Sequence, residues 1–236
     1  MQNSPHRTGS EAGTPARTVF IAGAGTEIGK TYVTAALTRR LRAQGRPVRT
    51  LKPLASGVPP LNDPGFAESD TARLLDAQGI VLDAEAVEDC SPWRFAAPLS
   101  PDQAAVLEGR SLGLADLVGW CRAQIAGTEG TLLIEGVGGL MSPVTETATG
   151  LDWLRALGVP ALLVSGSYLG AISHALTACE TLRRYDVPLL AVAISESPGA
   201  PAPASTVAAS IARHAGTAVF CLKRGEACPE ALADRI

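Results

Sequence analysis

The run Thr18-Val19-Phe20-Ile21-Ala22 is apolar at nearly every position, and it opens into Gly23-Ala24-Gly25-Thr26-Glu27-Ile28-Gly29-Lys30-Thr31, where a helical pattern begins. A buried strand that stops in glycines and turns at once into a helix has little freedom. It needs a sheet covered on both faces, and it gathers backbone N–H groups and the positive end of a helix dipole at one point. That point suits a polyphosphate, with Lys30 in reach of the β- and γ-phosphates and the Thr31 hydroxyl able to ligate Mg²⁺. The segment therefore reads as a P-loop. Its spacing is off by one residue, because Ala24 holds the expected glycine position and Gly23 lies just upstream. A glycine turn before an ordinary helix is the plain alternative, and it leaves the strand, Gly-Lys-Thr and helix in that order unexplained.

The rest of the chain has the rhythm that such a loop requires. Leu132-Ile134, Ala161-Val164, Leu189-Ile194 and Ala218-Leu222 are further short runs, apolar at almost every position, and Val48-Leu51 is a short one with apolar ends. Strands of that kind are covered on both faces, which implies parallel pairing through crossover helices. Lys30-Ala43, Ser69-Ala77, Ala104-Glu108, Leu114-Ile125, Leu151-Leu157, Ala171-Tyr185 and Thr206-His214 have helical spacing or helix boundaries, and Val58-Gly65 and Ser197-Pro203 read as surface loops. With 236 residues, 46% of them hydrophobic, there is enough chain for one sizeable core. The expected fold is α/β: a single-domain P-loop NTPase-like fold with a mostly parallel β-sheet flanked by helices on both faces. The domain is expected over 17–236, after a disordered leader at 1–16.

Composition removes several classes of function. A net charge of -3 offers no footprint for nucleic acid or an acidic membrane surface. The longest apolar stretches, Val159-Val164 and Val187-Ile194, fall far short of the roughly 20 residues of a membrane span. Cysteines 90, 121, 179, 221 and 228 form no CxxC pair and no metal spacing, as expected of reduced thiols in a cytoplasmic protein.

Ligands of an open parallel sheet sit beyond the carboxyl ends of its strands. Glu135 ends one buried run and precedes Gly136-Val137-Gly138-Gly139, so it is placed to hold Mg²⁺, with a solvated acid before a turn as the bland alternative. Lys52 ends another run, where it would either pair with Glu135 or stabilise charge during phosphoryl transfer. Ser69 and Asp70 look locally like a cap and an acidic first turn. A lysine five residues before Lys30 would mark a partition-type ATPase, and Gly25 occupies that position.

Read in order, Gly23-x5-Gly29-Lys30-Thr31, Lys52-Pro53-x-x-Ser56-Gly57, Ser69-Asp70, Phe95-Ala-x-Pro98-x-Ser100-Pro101, Glu135-Gly136-x-Gly138-Gly139, Asp152-Trp153 and Leu169-Gly170-x-Ile172-x-His174 resemble the dethiobiotin synthetases from about Thr18 to Leu222. The resemblance implies an ATP-dependent ligase in which 7,8-diaminononanoate takes up CO2 as a carbamate. ATP phosphorylates the carbamate, and the second amine closes the cyclic urea. It implies Thr31, Asp70 and Glu135 as Mg²⁺ ligands, which moves Asp70 from cap to ligand. It also implies Lys30, Lys52, Thr26 and Ser56 as catalytic or substrate-binding residues. Gly25, Glu27, Ile28, Gly29, Lys30, Thr31, Tyr32, Glu135, Gly138 and Ser195 would bind the nucleotide.

The resemblance further implies a homodimer with the substrate carboxylate near the interface, at Tyr168-His174. His174 by itself reads as a structural histidine, and the stripe in Ala171-Leu182 suits either a dimer face or core packing. Two positions depart from the family pattern: Ser173 precedes His174 in place of Asn, and Ser195 replaces the Asn that reads adenine. Related ligases with another amine or carboxylate substrate, and regulatory nucleotide-binding ATPases, are the competing readings.

Overall fold

The computed structural model describes residues 17–236, so the leader expected at 1–16 lies outside the described residues. In chain order the elements are β1 (Arg17–Gly23), α1 (Lys30–Ala43), β2 (Val48–Leu51), β3 (Leu54–Ala55), α2 (Asp70–Gln78), α3 (Ala84–Cys90), β4 (Trp93–Arg94), α4 (Pro101–Leu107) and α5 (Leu114–Gly127). They continue with β5 (Thr131–Glu135), α6 (Gly150–Leu157), β6 (Ala161–Ser165), α7 (Ala171–Arg184), β7 (Leu189–Ser195), α8 (Ala204–Ala215), β8 (Val219–Leu222) and α9 (Glu230–Ala233). Six strands form one sheet in the order β2-β5-β1-β6-β7-β8, and every pairing is parallel.

The alternation of β1 shows why both faces must be covered. Val19 and Ile21 pack with Val33, Leu37 and Leu41 of α1 on one face. Phe20 and Ala22 face the other way, into a larger core that includes Leu117, Trp153, Ala175 and Ile211 from α5 to α8. Phe20 and Trp153 meet edge to face with ring centroids 4.9 Å apart. Truncating either of these buried rings to Ala should cost about 3–5 kcal/mol. The stripe of α7 is part of this core, since Ala175, Ala178, Cys179 and Leu182 are all buried. Core packing is thus sufficient to explain it.

Two features were not legible in the sequence. α3 buries only Val87 and Cys90, so no apolar stripe announces it; it is started by Asp83, whose side chain accepts from Ala86 N at 2.9 Å. β3 and β4 form a separate two-stranded parallel sheet of two residues each. The Pro/Gly-rich stretch before α2 ends in a short 3₁₀ turn, Pro64–Glu68.

Candidate active site

The loop between β1 and α1 is shaped by backbone approach. Gly29 sits at the N-cap of α1 with φ of 92°, and no side chain caps this helix, which leaves its first-turn N–H groups available to an anion. The displaced glycine has a steric reason. A Cβ on Gly23 would lie 2.8 Å from the Gly138 carbonyl oxygen and 2.9 Å from both the Gly25 carbonyl oxygen and Lys30 Cδ. Position 23 is therefore where the chain must approach closely, and Ala24 is tolerated one residue later. Glu27 adopts φ of 56°, left-handed for a residue with a side chain. Thr26 and Glu27 are exposed on the lip, and Ile28 beneath them anchors the loop in the α1 core.

Lys30 is buried and donates to the carbonyls of Gly25 (3.1 Å) and Gly138 (2.7 Å). Burial, reinforced by the nearby Lys52 ammonium, lowers its pKa to about 8, while Glu135 and Asp70 pull the other way. An arriving polyphosphate would restore a full positive charge there.

Four side chains from separate parts of the sequence meet beside this loop. Lys52 Nζ lies 2.7 Å from Glu135 Oε1 and 3.0 Å from Asp70 Oδ2, and it also donates to the Gly136 carbonyl at 3.0 Å. The Thr31 hydroxyl donates to the same Glu135 Oε1 at 2.7 Å. Burial alone would push Lys52 toward neutrality, but Asp70 and Glu135 outweigh it and hold its pKa above the usual lysine range. Burial would likewise raise Asp70, yet the Lys52 ammonium beside it holds it down to about 2. The local reading of Ser69-Asp70 divides: Ser69 is the cap, accepting from Ala72 N at 3.2 Å, whereas Asp70 is turned to Lys52.

Glu135 is completely buried, and its Oε2 has no hydrogen-bond partner among the described residues. A buried carboxylate oxygen left bare is costly. Together with the Thr31 hydroxyl and Asp70, it forms a set of hard oxygen donors of the kind Mg²⁺ takes. The donor set fits that ion. Ser56 is half-buried on the chain segment that carries Lys52.

The opposite side of the loop is built differently. Ser195, at the end of β7, is buried with a hydroxyl that has no partner among the described residues, and a Cβ on Gly29 would collide with that side chain. Tyr32 Oη donates to the Lys223 carbonyl at 2.8 Å and accepts from Gly225 N at 3.1 Å, while the Arg224 guanidinium lies 4.2 Å over its ring. Arg224 is further tied to Glu196 through its backbone N and its Nε, each at 2.9 Å. Sequence reasoning passed over Arg224, an exposed cation in a polar loop with no motif around it. His174 is exposed, not a core residue, and its Nδ1 is 2.8 Å from Tyr168 Oη. That hydroxyl reaches within 3.5 Å of the Cβ position of Gly25, so the start of α7 adjoins the phosphate loop.

A family model described as an AAA domain (AAA_26) matches residues 17–222. The chain is 67% identical over 214 residues to the ATP-dependent dethiobiotin synthetase BioD of Methylobacterium nodulans, an alignment covering 90% of this chain and 95% of that one. It is 46% identical to the protein of the same name from Acidiphilium cryptum, over 84% of this chain and 87% of that one. Among solved structures, the MinC:MinD cell division protein complex of Aquifex aeolicus matches with a TM-score of 0.51 at 12% identity, covering 93% of this chain and 84% of that chain. That likeness is one of fold.

Proposed function

This chain belongs to the dethiobiotin synthetase family, and on that premise we propose how its site closes a cyclic urea. The chain is an ATP-dependent ligase that forms C–N bonds. Its substrates are 7,8-diaminononanoate, CO2 and ATP. One amine takes up CO2 as a carbamate and loses a proton. A carbamate oxygen attacks the γ-phosphorus, and the bond to ADP breaks. The second amine then attacks the carbonyl carbon of the mixed anhydride and gives up a proton, which expels phosphate and closes the ring.

The observation that carries this reading is the Lys52 ammonium shared by Glu135 and Asp70, with the Thr31 hydroxyl and Lys30 beside it. An anionic carbamate must approach an anionic phosphate, and fixed cations in a dry site relieve that repulsion without reorganisation. Lys30 accompanies the transferred phosphoryl group, and Lys52 faces the carbamate. Thr26 and Ser56 hydrogen-bond the carbamate or the diamine. Thr31, Asp70 and Glu135 would hold Mg²⁺, which would supply positive charge against the polyphosphate. Gly25, Glu27, Ile28, Gly29, Lys30, Thr31 and Tyr32 wrap the nucleotide, Glu135 and Gly138 close its phosphate side, and Ser195 lies toward the base. The uncapped start of α7, where Gly170 has φ of 96°, offers free N–H groups to the substrate carboxylate at the interface of a homodimer. The buried free thiols Cys90, Cys121, Cys179 and Cys228 suit a cytoplasmic setting.

The test is phosphate release by purified protein with Mg-ATP and bicarbonate, with and without the diamine, alongside dethiobiotin quantified by mass. Phosphate and dethiobiotin should appear in equal amounts and only with the diamine. Equal hydrolysis in its absence, with no ring product, would overturn the reading in favour of a regulatory ATPase.

A further inference from the structure

Lys52 and Asp70 lie on different segments, and their 3.0 Å contact depends on how those segments are joined. Residues 52–58 run alongside 90–97: Lys52 N donates to the Cys90 carbonyl (3.0 Å), Trp93 N to Pro53 (3.1 Å), Phe95 N to Ala55 (2.9 Å) and Gly57 N to Ala97 (3.0 Å). This ladder holds the backbone that carries Lys52 and Ser56. Asp70 lies outside the ladder, at the first position of α2.

The connection is made one residue later. Thr71 Oγ1 lies 2.8 Å from Ser91 Oγ, and both residues are completely buried. Ser91 directly follows Cys90, the residue whose carbonyl receives the Lys52 N–H. Neighbouring residues of one strip thus hold both sides of the contact, the Cys90 carbonyl on the backbone of Lys52 and the Ser91 hydroxyl on the helix of Asp70. An apolar pair would fill the same space, but without direction. A buried hydroxyl pair fixes a distance and an angle, because either group left alone would be penalised.

We infer that Thr71 and Ser91 are positioning residues that hold Asp70 against Lys52 and so set the affinity of the divalent-cation site. The inference rests on the reading of Asp70 as a cation ligand.

The probe is Mn²⁺, its binding to the ADP-loaded protein measured from the loss of its free electron paramagnetic resonance signal. Thr71→Val keeps the volume and removes the hydroxyl, and it should weaken Mn²⁺ binding about three- to tenfold, the range spanned by one hydrogen bond. In turnover, half-saturating Mg²⁺ should rise by the same factor while kcat at saturating Mg²⁺ stays within about twofold, a split that general loss of stability would not produce. Thr71→Ser keeps the hydroxyl and should bind Mn²⁺ as the parent does. Ser91→Ala should behave like Thr71→Val and serves if that variant fails to fold. Parent-like Mn²⁺ binding by Thr71→Val or Ser91→Ala, alongside weakened binding by Asp70→Asn, would reduce the pair to ordinary core packing. Equal weakening by Thr71→Ser, which keeps the hydroxyl, and Thr71→Val, which keeps the methyl, would assign the effect to packing at this position and overturn the inference. Unchanged Mn²⁺ binding by Asp70→Asn would instead remove the cation-ligand reading, and the inference with it.

Discussion

The two flanks of the phosphate loop are made from different materials. Toward β5 and β2 the site is dense in buried charge, with Lys30, Lys52 and Glu135 all withdrawn from solvent and Asp70 drawn in beside them. Toward β6 and β7 it is lined by hydroxyls: Ser165 and Ser195 are buried without hydrogen-bond partners among the described residues, and Ser167 and Ser197 exchange backbone-to-hydroxyl bonds at 3.0 and 2.9 Å. Charge on that flank lies at the rim, where Arg224 is tied to Glu196. Phosphoryl transfer needs charges that are already in place and poorly screened, and those are costly to bury unless each has a partner. Recognition of a nucleoside needs neutral hydrogen bonds, which cost little and can be replaced singly. The first flank should therefore fail steeply on substitution, and the second gradually.

The steepest failure should be Lys52→Met. It strands a buried Glu135 carboxylate, so thermal or urea unfolding should show a loss of about 3–5 kcal/mol, and ring closure should fall at least about 10³-fold. Stability near that of the parent would mean that the charged flank is not tightly coupled, and the comparison would break there. Lys30→Met should lower kcat about 10²–10³-fold. Its stability should hold or rise in the nucleotide-free protein, because the variant removes an ammonium whose pKa burial and Lys52 have already lowered to about 8. A steady-state assay beside a melting curve would separate these two lysines.

On the neutral flank, Ser195→Ala should change stability by no more than about 0.5 kcal/mol and raise the KM for ATP by about threefold or less, leaving kcat unaltered. A loss in kcat comparable with that of Lys30→Met would erase the distinction between the flanks.

The smallest effect belongs outside both. Asp152 and Thr149 form a reciprocal capping box at the start of α6, and hydrogen bonds from the Thr149 backbone and hydroxyl lower the Asp152 pKa. A depressed carboxylate contributes stability that is present above its unfolded value of about 3.9 and is lost as pH falls through the lower folded value. Asp152→Asn should accordingly cost about 0.5–1 kcal/mol at neutral pH, and its deficit should shrink in acid. Unfolding curves across that range would check the sign, and activity should not follow it.

Legibility in the sequence followed the same division. The central strands of the main sheet were visible, because full burial leaves an unbroken apolar run such as Ala161-Val164, while the less buried edge strands Val48–Leu51 and Val219–Leu222 left short runs. The P-loop was visible because its chemistry is backbone chemistry within nine consecutive residues. Lys52 and Glu135 were visible as charged residues ending buried runs, although whether they paired was not. Asp70 was misleading locally, since a Ser-Asp start is what any capped helix offers; only the resemblance moved it to the site. α3 and the β3–β4 ladder were invisible, being too short to leave a period.

By itself the sequence determined the parallel sheet, the phosphate loop and the family, because these depend on periodicity, on residues adjacent in the chain and on motifs in a set order. Tertiary structure alone decided that Gly23 must lack a side chain under Gly138, that Asp70 turns to Lys52, and that Thr71 meets Ser91. Each of these is a contact between segments whose separation in the chain says nothing of their distance in space. Local physics permits several partners for a hydroxyl or a carboxylate, and the packed fold leaves one.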